Sequence, residues 1–187
     1  MMRIIGGSFK GKKLLQPKDD QTRPLKDLTK ESIFNIINHT KKFKINLNSS
    51  VVLDIFSGVG SFGIECISRG VKDIVFIENY KNVLNILKKN LTNLKSKSNY
   101  KILEKDVYDE EIYLSLNSKF DIIFLDPPYR DKNFASILIK INEKKLLSRE
   151  GIIIVHRHKN ENDNLPSEFK IVEEKIYGIS KIIFLAL

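Results

Sequence analysis

Residues 51–65 read VVLDIFSGVGSFGIE, and this stretch decides the fold. Val51, Val52, Leu53 and Ile55 flank a single acid, Asp54, in an apolar run that is too short for a helix. Such a run predicts a strand of a parallel sheet, buried on both faces. It leads into Ser57-Gly58-Val59-Gly60 and then a helix expected over Phe62 to Arg69. Gly58, Gly60 and Gly63 let the chain turn sharply and let a ligand come close to the backbone. A G-x-G-x-x-G loop alone serves a dinucleotide as well as any other nucleoside cofactor.

Outward from this stretch, strands and helices alternate. Strands are expected at Asp73 to Ile77, Tyr100 to Leu103, Phe120 to Leu125 and Gly151 to Val155. A helix between the first two carries Leu84, Leu87, Leu91 and Leu94 on one side, and Phe134, Ile137, Leu138 and Ile141 mark another. Two further runs, Phe169 to Ile176 and Lys181 to Leu187, join at Tyr177-Gly178. The pattern predicts an α/β fold: a doubly wound parallel sheet with a hairpin closing one edge. Asn160 to Asn164 reads as a solvated loop.

Before this core, Arg3-Ile4-Ile5-Gly6-Gly7 and Lys12-Lys13-Leu14-Leu15 flank a basic tip and predict a hairpin. Asp27 is the expected N-cap of a helix bearing Ile33, Ile36 and Ile37. Lys41 to Ser50 reads as a polar connector. The chain thus divides into an extension, residues 1–50, and a main domain, residues 51–187.

The 187 residues hold 32 Lys and Arg against 23 Asp and Glu, a net charge of +9. The distribution says more than the total. Residues 1–50 contain 11 basic residues against four acids, whereas the remainder is nearly balanced. A basic segment on a near-neutral body suggests a polyanionic partner held by that segment. No apolar run approaches the roughly 18 residues that span a bilayer, and no signal-peptide core follows Met1. The single cysteine, Cys66, suits a reducing compartment and a packing role. The expectation is a cytoplasmic protein with no membrane partner.

Ligands of such sheets sit at the carboxyl ends of the strands, and the chain places acids there one after another. Asp54 can receive an ammonium group, Glu78 the two hydroxyls of a ribose, and Asp106 an adenine amino group. Phe56 joins Asp54, Gly58, Gly60, Glu78 and Asp106 as the expected cofactor set. NAD would use the same loop and ribose acid, but a pyrophosphate would be repelled by Asp54. The fourth strand ends in Asp126-Pro127-Pro128-Tyr129. Two prolines lack N–H groups, so this turn offers acceptors without local donors. Asp126 and the Pro127 carbonyl can accept hydrogen bonds from a substrate amino group, and Tyr129 can stack on a flipped-out base. These features point to S-adenosylmethionine and methyl transfer to a planar nitrogen. His156 and His158 alternate on one strand, but no third ligand is near, and no metal site is expected.

The stretches Arg3 to Leu14, Thr22-Arg23-Pro24 with Asp27, Glu31, Phe34 and Asn35, Asp54 to Glu65, Asp126 to Tyr129, and Tyr177-Gly178 resemble the signatures of the RsmD family. That family methylates the exocyclic N2 of one guanine in bacterial 16S rRNA. The resemblance covers nearly the whole chain and implies a class I methyltransferase fold, a seven-stranded sheet with an antiparallel last strand. It implies S-adenosylmethionine as cofactor, Asp126, Pro127, Pro128 and Tyr129 as catalytic residues, and RNA contacts at Arg3, Lys10, Lys12, Lys13 and Arg23. It also implies a monomer acting on 16S rRNA or an assembling small subunit. Leu28 and Lys30 stand where the family usually has arginines, and His156 where it often has glutamate. Two alternatives stay open. One is an N6-adenine methyltransferase, though the chain has no room for the usual target-recognition insertion. The other is a silent RNA-binding protein that keeps the fold.

Overall fold

The computed structural model describes residues 2–17, 25–95 and 99–187. Seven strands form one sheet: β1 (Val51–Ile55), β2 (Asp73–Ile77), β3 (Asn99–Leu103), β4 (Phe120–Leu125), β5 (Leu147–His158), β6 (Lys170–Tyr177) and β7 (Ser180–Ala186). Their spatial order is β3-β2-β1-β4-β5-β7-β6. The first five are parallel, and β7 runs antiparallel to both β5 and β6. The order reverses between β1 and β4, which opens a crevice at their carboxyl ends.

Alternation along each strand builds two cores. Val52, Phe76, Phe124, Ile154 and Phe184 face α1 (Asp27–His39), α2 (Ser61–Ser68) and α3 (Lys81–Leu94). Leu53, Ile77, Leu125, Val155 and Leu185 face α4 (Glu110–Ser115) and α5 (Phe134–Glu143). Phe34, Phe62 and Phe124 stack in a column from α1 through α2 to β4. Gly63 lets α2 lie close against β1 and β2, since a Cβ there would come 2.2 Å from the Phe76 ring. Among the described residues, no helix is long and apolar enough to cross a membrane.

The expected N-terminal hairpin forms, with Arg3 paired to Lys13 and the Ile4 N–H donating to the Lys12 carbonyl. It is bolted to α2. The Ile5 N–H donates to Glu65 at 2.8 Å, and Ser68 accepts from the Phe9 N–H while donating to the Gly6 carbonyl. Lys30 lies wholly buried between Glu65, Asp27 and the Arg3 carbonyl. Burial pulls its ammonium below the usual lysine range.

Several local expectations need correction. Lys26 is the N-cap of α1, and Asp27 sits in the first turn, paired with Arg3 and Lys30. β5 extends well beyond Gly151–Val155 on both sides, with a register shift in its pairing with β4 between Phe120 and Ile122. The connector is anchored rather than loose, because Phe43 is buried and stacks on Phe184. The loop Asn160 to Asn164 is not simply solvated, since the Asp163 side chain is only 7% exposed.

Candidate active site

One cleft of about 1060 Å³ opens over the carboxyl ends of β1, β2, β4 and β5. Its wall includes Asp54, Phe56, Gly58, Glu78, Asp106, Asp126, Pro127, Pro128 and Tyr129, so the expected cofactor and catalytic residues meet in one space. Gly60 lies just behind, in a left-handed conformation with φ 83°. A Cβ at that position would strike Leu87 at 2.5 Å.

Asp54 is buried to 1% and accepts from the Gly63 N–H at 3.0 Å. Loss of water holds its carboxyl well above the usual range, and the negative Asp126 and Glu78 add to the effect. A cationic group beside it would reverse that shift. Glu78 closes the glycine turn from β2: one oxygen accepts from the Gly58 N–H at 2.7 Å, the other from the Asn79 and Tyr80 N–H groups. A carboxylate has about four acceptor sites, and with three of them taken Glu78 keeps one, on the oxygen bonded to Gly58, for a ribose hydroxyl. Asp106 caps the turn after β3 by accepting from the Tyr108 N–H. Phe56, at φ 60°, meets Tyr108 edge-on at 6.3 Å and forms the apolar flank of the slot.

Ser61 was not among the expected residues. Its hydroxyl, in the cleft wall at the start of α2, is the one buried side-chain polar atom without a hydrogen-bond partner among the described residues. Native structures rarely leave such a group unsatisfied. A buried carboxylate seeking a cation, a ribose-ready Glu78 and an orphan hydroxyl together fit a polar amino-acid-nucleoside such as S-adenosylmethionine.

At the other end of the cleft, Asp126 closes onto β1 through its N–H, which donates to the Ile55 carbonyl. His156 Nδ1 lies 2.8 Å from Asp126 Oδ1. Tyr129 meets the ring of His158 edge-on at 5.2 Å and that of His156 at 5.9 Å. The two histidines therefore share a face, as their alternation requires. No group of three or more metal-capable side chains exists among the described residues.

The turn itself is held from below by Arg157, which sequence reasoning missed. Its guanidinium donates to the carbonyls of Pro128, Tyr129 and Asp131. It also forks onto Asp163 and lies over the Phe134 ring at 4.6 Å. An arginine inside the apolar run Ile152 to Val155 and its continuation was the available signal, because a charge there must find partners.

Of the expected RNA contacts, Lys10 and Lys13 are exposed. Arg3 is exposed but pairs with Asp27. Lys12 is committed to the Asn93 carbonyl at the end of α3 and lies over the Phe9 ring. Arg23 lies outside the described residues.

Sheet order, antiparallel β7, glycine turn and cleft together define a class I methyltransferase fold. The solved structure of yhhF from Escherichia coli superposes with a TM-score of 0.80 at 27% identity, covering 98% of this chain and 96% of that one. SMU.776, solved in complex with SAH, shares the fold at a TM-score of 0.62 and 16% identity, over 75% of this chain and 47% of that one. The chain belongs to the family described as Conserved hypothetical protein 95, the RsmD family, whose model matches residues 2–186. It is 32% identical over 179 residues to Ribosomal RNA small subunit methyltransferase D of Haemophilus influenzae, covering 95% of this chain and 90% of that protein. It is 28% identical to the protein of the same name from Escherichia coli, covering 95% and 85%.

Proposed function

We propose that this protein transfers a methyl group from S-adenosylmethionine to the exocyclic N2 of a specific guanine in 16S rRNA, in the cytoplasm where the small subunit is assembled. The observation that carries the reading is one cleft with the acids of a nucleoside cofactor at one end and Asp126 to Tyr129 at the other. Membership of the RsmD family and the names of the Haemophilus and Escherichia relatives support rRNA as the substrate class.

S-adenosylmethionine would supply a methyl group activated by its sulfonium and would take the bond's electron pair back onto sulfur. The remaining work belongs to the chain. Asp54 and the Ser61 hydroxyl meet the amino-acid end, Glu78 the ribose, and Asp106 with Phe56 the adenine. Asp126 and the Pro127 carbonyl accept the two N–H bonds of the guanine amino group and aim its lone pair at the methyl. The nitrogen's surplus proton passes to Asp126 and then to solvent. Tyr129 covers the flipped base. Because the leaving sulfur is neutral, positioning accounts for most of the acceleration. Residues 1–50 hold the RNA backbone, with Lys10, Lys13 and Arg23 as phosphate contacts.

Incubation with labelled S-adenosylmethionine and unmodified small-subunit rRNA, naked and partly assembled, followed by mapping of the product, tests the proposal. Label on one guanine N2 is expected. Label on adenine N6 would replace guanine with the rival base, and no label with intact RNA binding would favour a silent binding protein. Calorimetry supplies a second check, since S-adenosylmethionine should bind without RNA and NAD should not compete.

A further inference from the structure

Three neighbouring strands each contribute one member to a chain of bonds that ends in the cleft. Ser180 opens β7, His156 lies on β5, and Asp126 follows β4. The Ser180 hydroxyl is 2.9 Å from His156 Nε2, and His156 Nδ1 is 2.8 Å from Asp126 Oδ1. The imidazole is nearly enclosed, whereas the carboxylate reaches the cleft, with side-chain exposures of 7% and 22%.

Donor and acceptor roles follow from elementary chemistry. An ionised carboxylate only accepts, so Nδ1 must carry a proton. In the neutral ring Nε2 is then bare, and the Ser180 hydroxyl donates to it. Asp126 thereby selects the tautomer, and the Ser180 hydroxyl, which can donate or accept, completes it.

We propose that His156 is a positioning residue for methyl transfer: it ties down Asp126 Oδ1 so that Oδ2 is presented to the substrate amino group. The inference rests on the reading of the cleft given above. Held this way, Asp126 meets the amino group in one orientation, and loss of the His156 bond frees the carboxylate to turn away from the geometry of attack.

The ring is held from three elements. Asp126 faces the ring from the end of β4, Tyr129 from the turn beyond it, and Ser180 from β7. On β5 itself, Arg157 points through the opposite face to Asp163, and His158 lies against Tyr129.

Two measurements test the inference. The first needs no substrate: the nitrogen resonances of the His156 ring, assigned with His156→Gln, report which nitrogen carries the proton in wild type and in Asp126→Leu. Wild type should carry it on Nδ1, and Asp126→Leu, which removes the acceptor, should lose that single tautomer. A proton on Nε2 in wild type, or an unchanged tautomer in Asp126→Leu, overturns the coupling, whatever the enzyme methylates. The second is single-turnover methyl incorporation. His156→Leu should slow it about ten-fold at unchanged cofactor and RNA affinity, and His156→Asn, whose amide can still donate to Asp126, should recover much of the rate. Equal loss in both variants, or loss in neither, would reduce His156 to packing. Absence of methyl incorporation by wild type, with the resonance coupling intact, would overturn the reading of the cleft and the role of His156 with it.

Discussion

The guanidinium of Arg157 forks onto the carboxylate of Asp163 with no solvent exposure of its own, six residues along the same chain. Through this pair the loop after β5 becomes a wedge beneath the Asp126 turn. Arg157→Met leaves Asp163 buried without its partner and strips donors from three carbonyls. Urea unfolding should show a loss of about 3–5 kcal/mol. Arg157→Lys should recover little, since one ammonium cannot reproduce the planar fork. Adding Asp163→Asn to Arg157→Met should restore part of the loss; a purely additive double variant would deny the coupling.

Asp54 makes the free protein sensitive to pH in a particular direction. Its folded-state pKa lies above the unfolded value of 3.8. A raised value means that the folded state binds the proton more tightly, so its contribution is present below the unfolded pKa and is lost as pH rises through the folded one. Asp54→Asn removes this loss. The melting temperature of Asp54→Asn relative to wild type should therefore climb as pH rises from about 4 toward neutrality. The same variant should bind S-adenosylmethionine more weakly. Binding to wild type should release protons, visible by calorimetry in buffers of different ionisation enthalpy, because an ammonium beside Asp54 favours its charged form. Net proton uptake would contradict the placement.

Glu78 serves the glycine turn before any ligand arrives, because it accepts from the Gly58 N–H. Glu78→Ala should weaken cofactor binding by about 1–3 kcal/mol in calorimetry, through lost ribose bonds and a loosened turn. Glu78→Gln keeps the shape but loses an acceptor oxygen and should fall between. Full affinity in Glu78→Ala would remove the ribose role.

The basic residues of the extension should not behave alike. Lys10 and Lys13 are exposed, so each alanine substitution should lower the salt slope of RNA affinity by about 0.7–0.9. Lys12 is engaged with the Asn93 carbonyl, so Lys12→Ala should leave the slope nearly unchanged and cost stability instead. Equal slope changes at all three positions would show that the Lys12 bond yields to phosphate.

Much of the fold was legible because the central parallel strands β1, β2 and β4 are apolar runs ended by an acid or a turn. The site acids were legible for the same reason: strand ends are where such a sheet binds ligands. What escaped lies where meaning depends on a distant partner. Arg157 passed unread and Asp163 fell in a stretch read as a solvated loop, and their meaning emerges only when β5 and its following loop fold together. Lys30 read only as a departure from the family's usual arginine, yet it is buried against Glu65, thirty-five residues away on α2, with Asp27 and the Arg3 carbonyl as its other partners. β5 was read too short because Arg149, Glu150 and the His156 to His158 stretch interrupt its apolar pattern, although its pairing with β4 and β7 runs on. Ser61 gave no signal beyond its place after Gly60.

Asp126 and Tyr129 should fail in different ways. The Asp126 carboxylate, with Oδ1 on His156, offers Oδ2 to an amino group only in the geometry of attack. Asp126→Ala should cut single-turnover methyl transfer by about 100-fold or more while cofactor and RNA affinities stay near normal. Tyr129 contributes a ring face, braced edge-on by His158 and His156. Tyr129→Ala removes that face, worth roughly 1–3 kcal/mol for a stacked base, and should leave the flipped base unsupported. Tyr129→Phe keeps the face and should stay within a few-fold of wild type. Comparing Phe with Ala at this position isolates the stacking contribution. If Tyr129→Phe is as slow as Tyr129→Ala, the hydroxyl takes part in the reaction and stacking does not explain the residue.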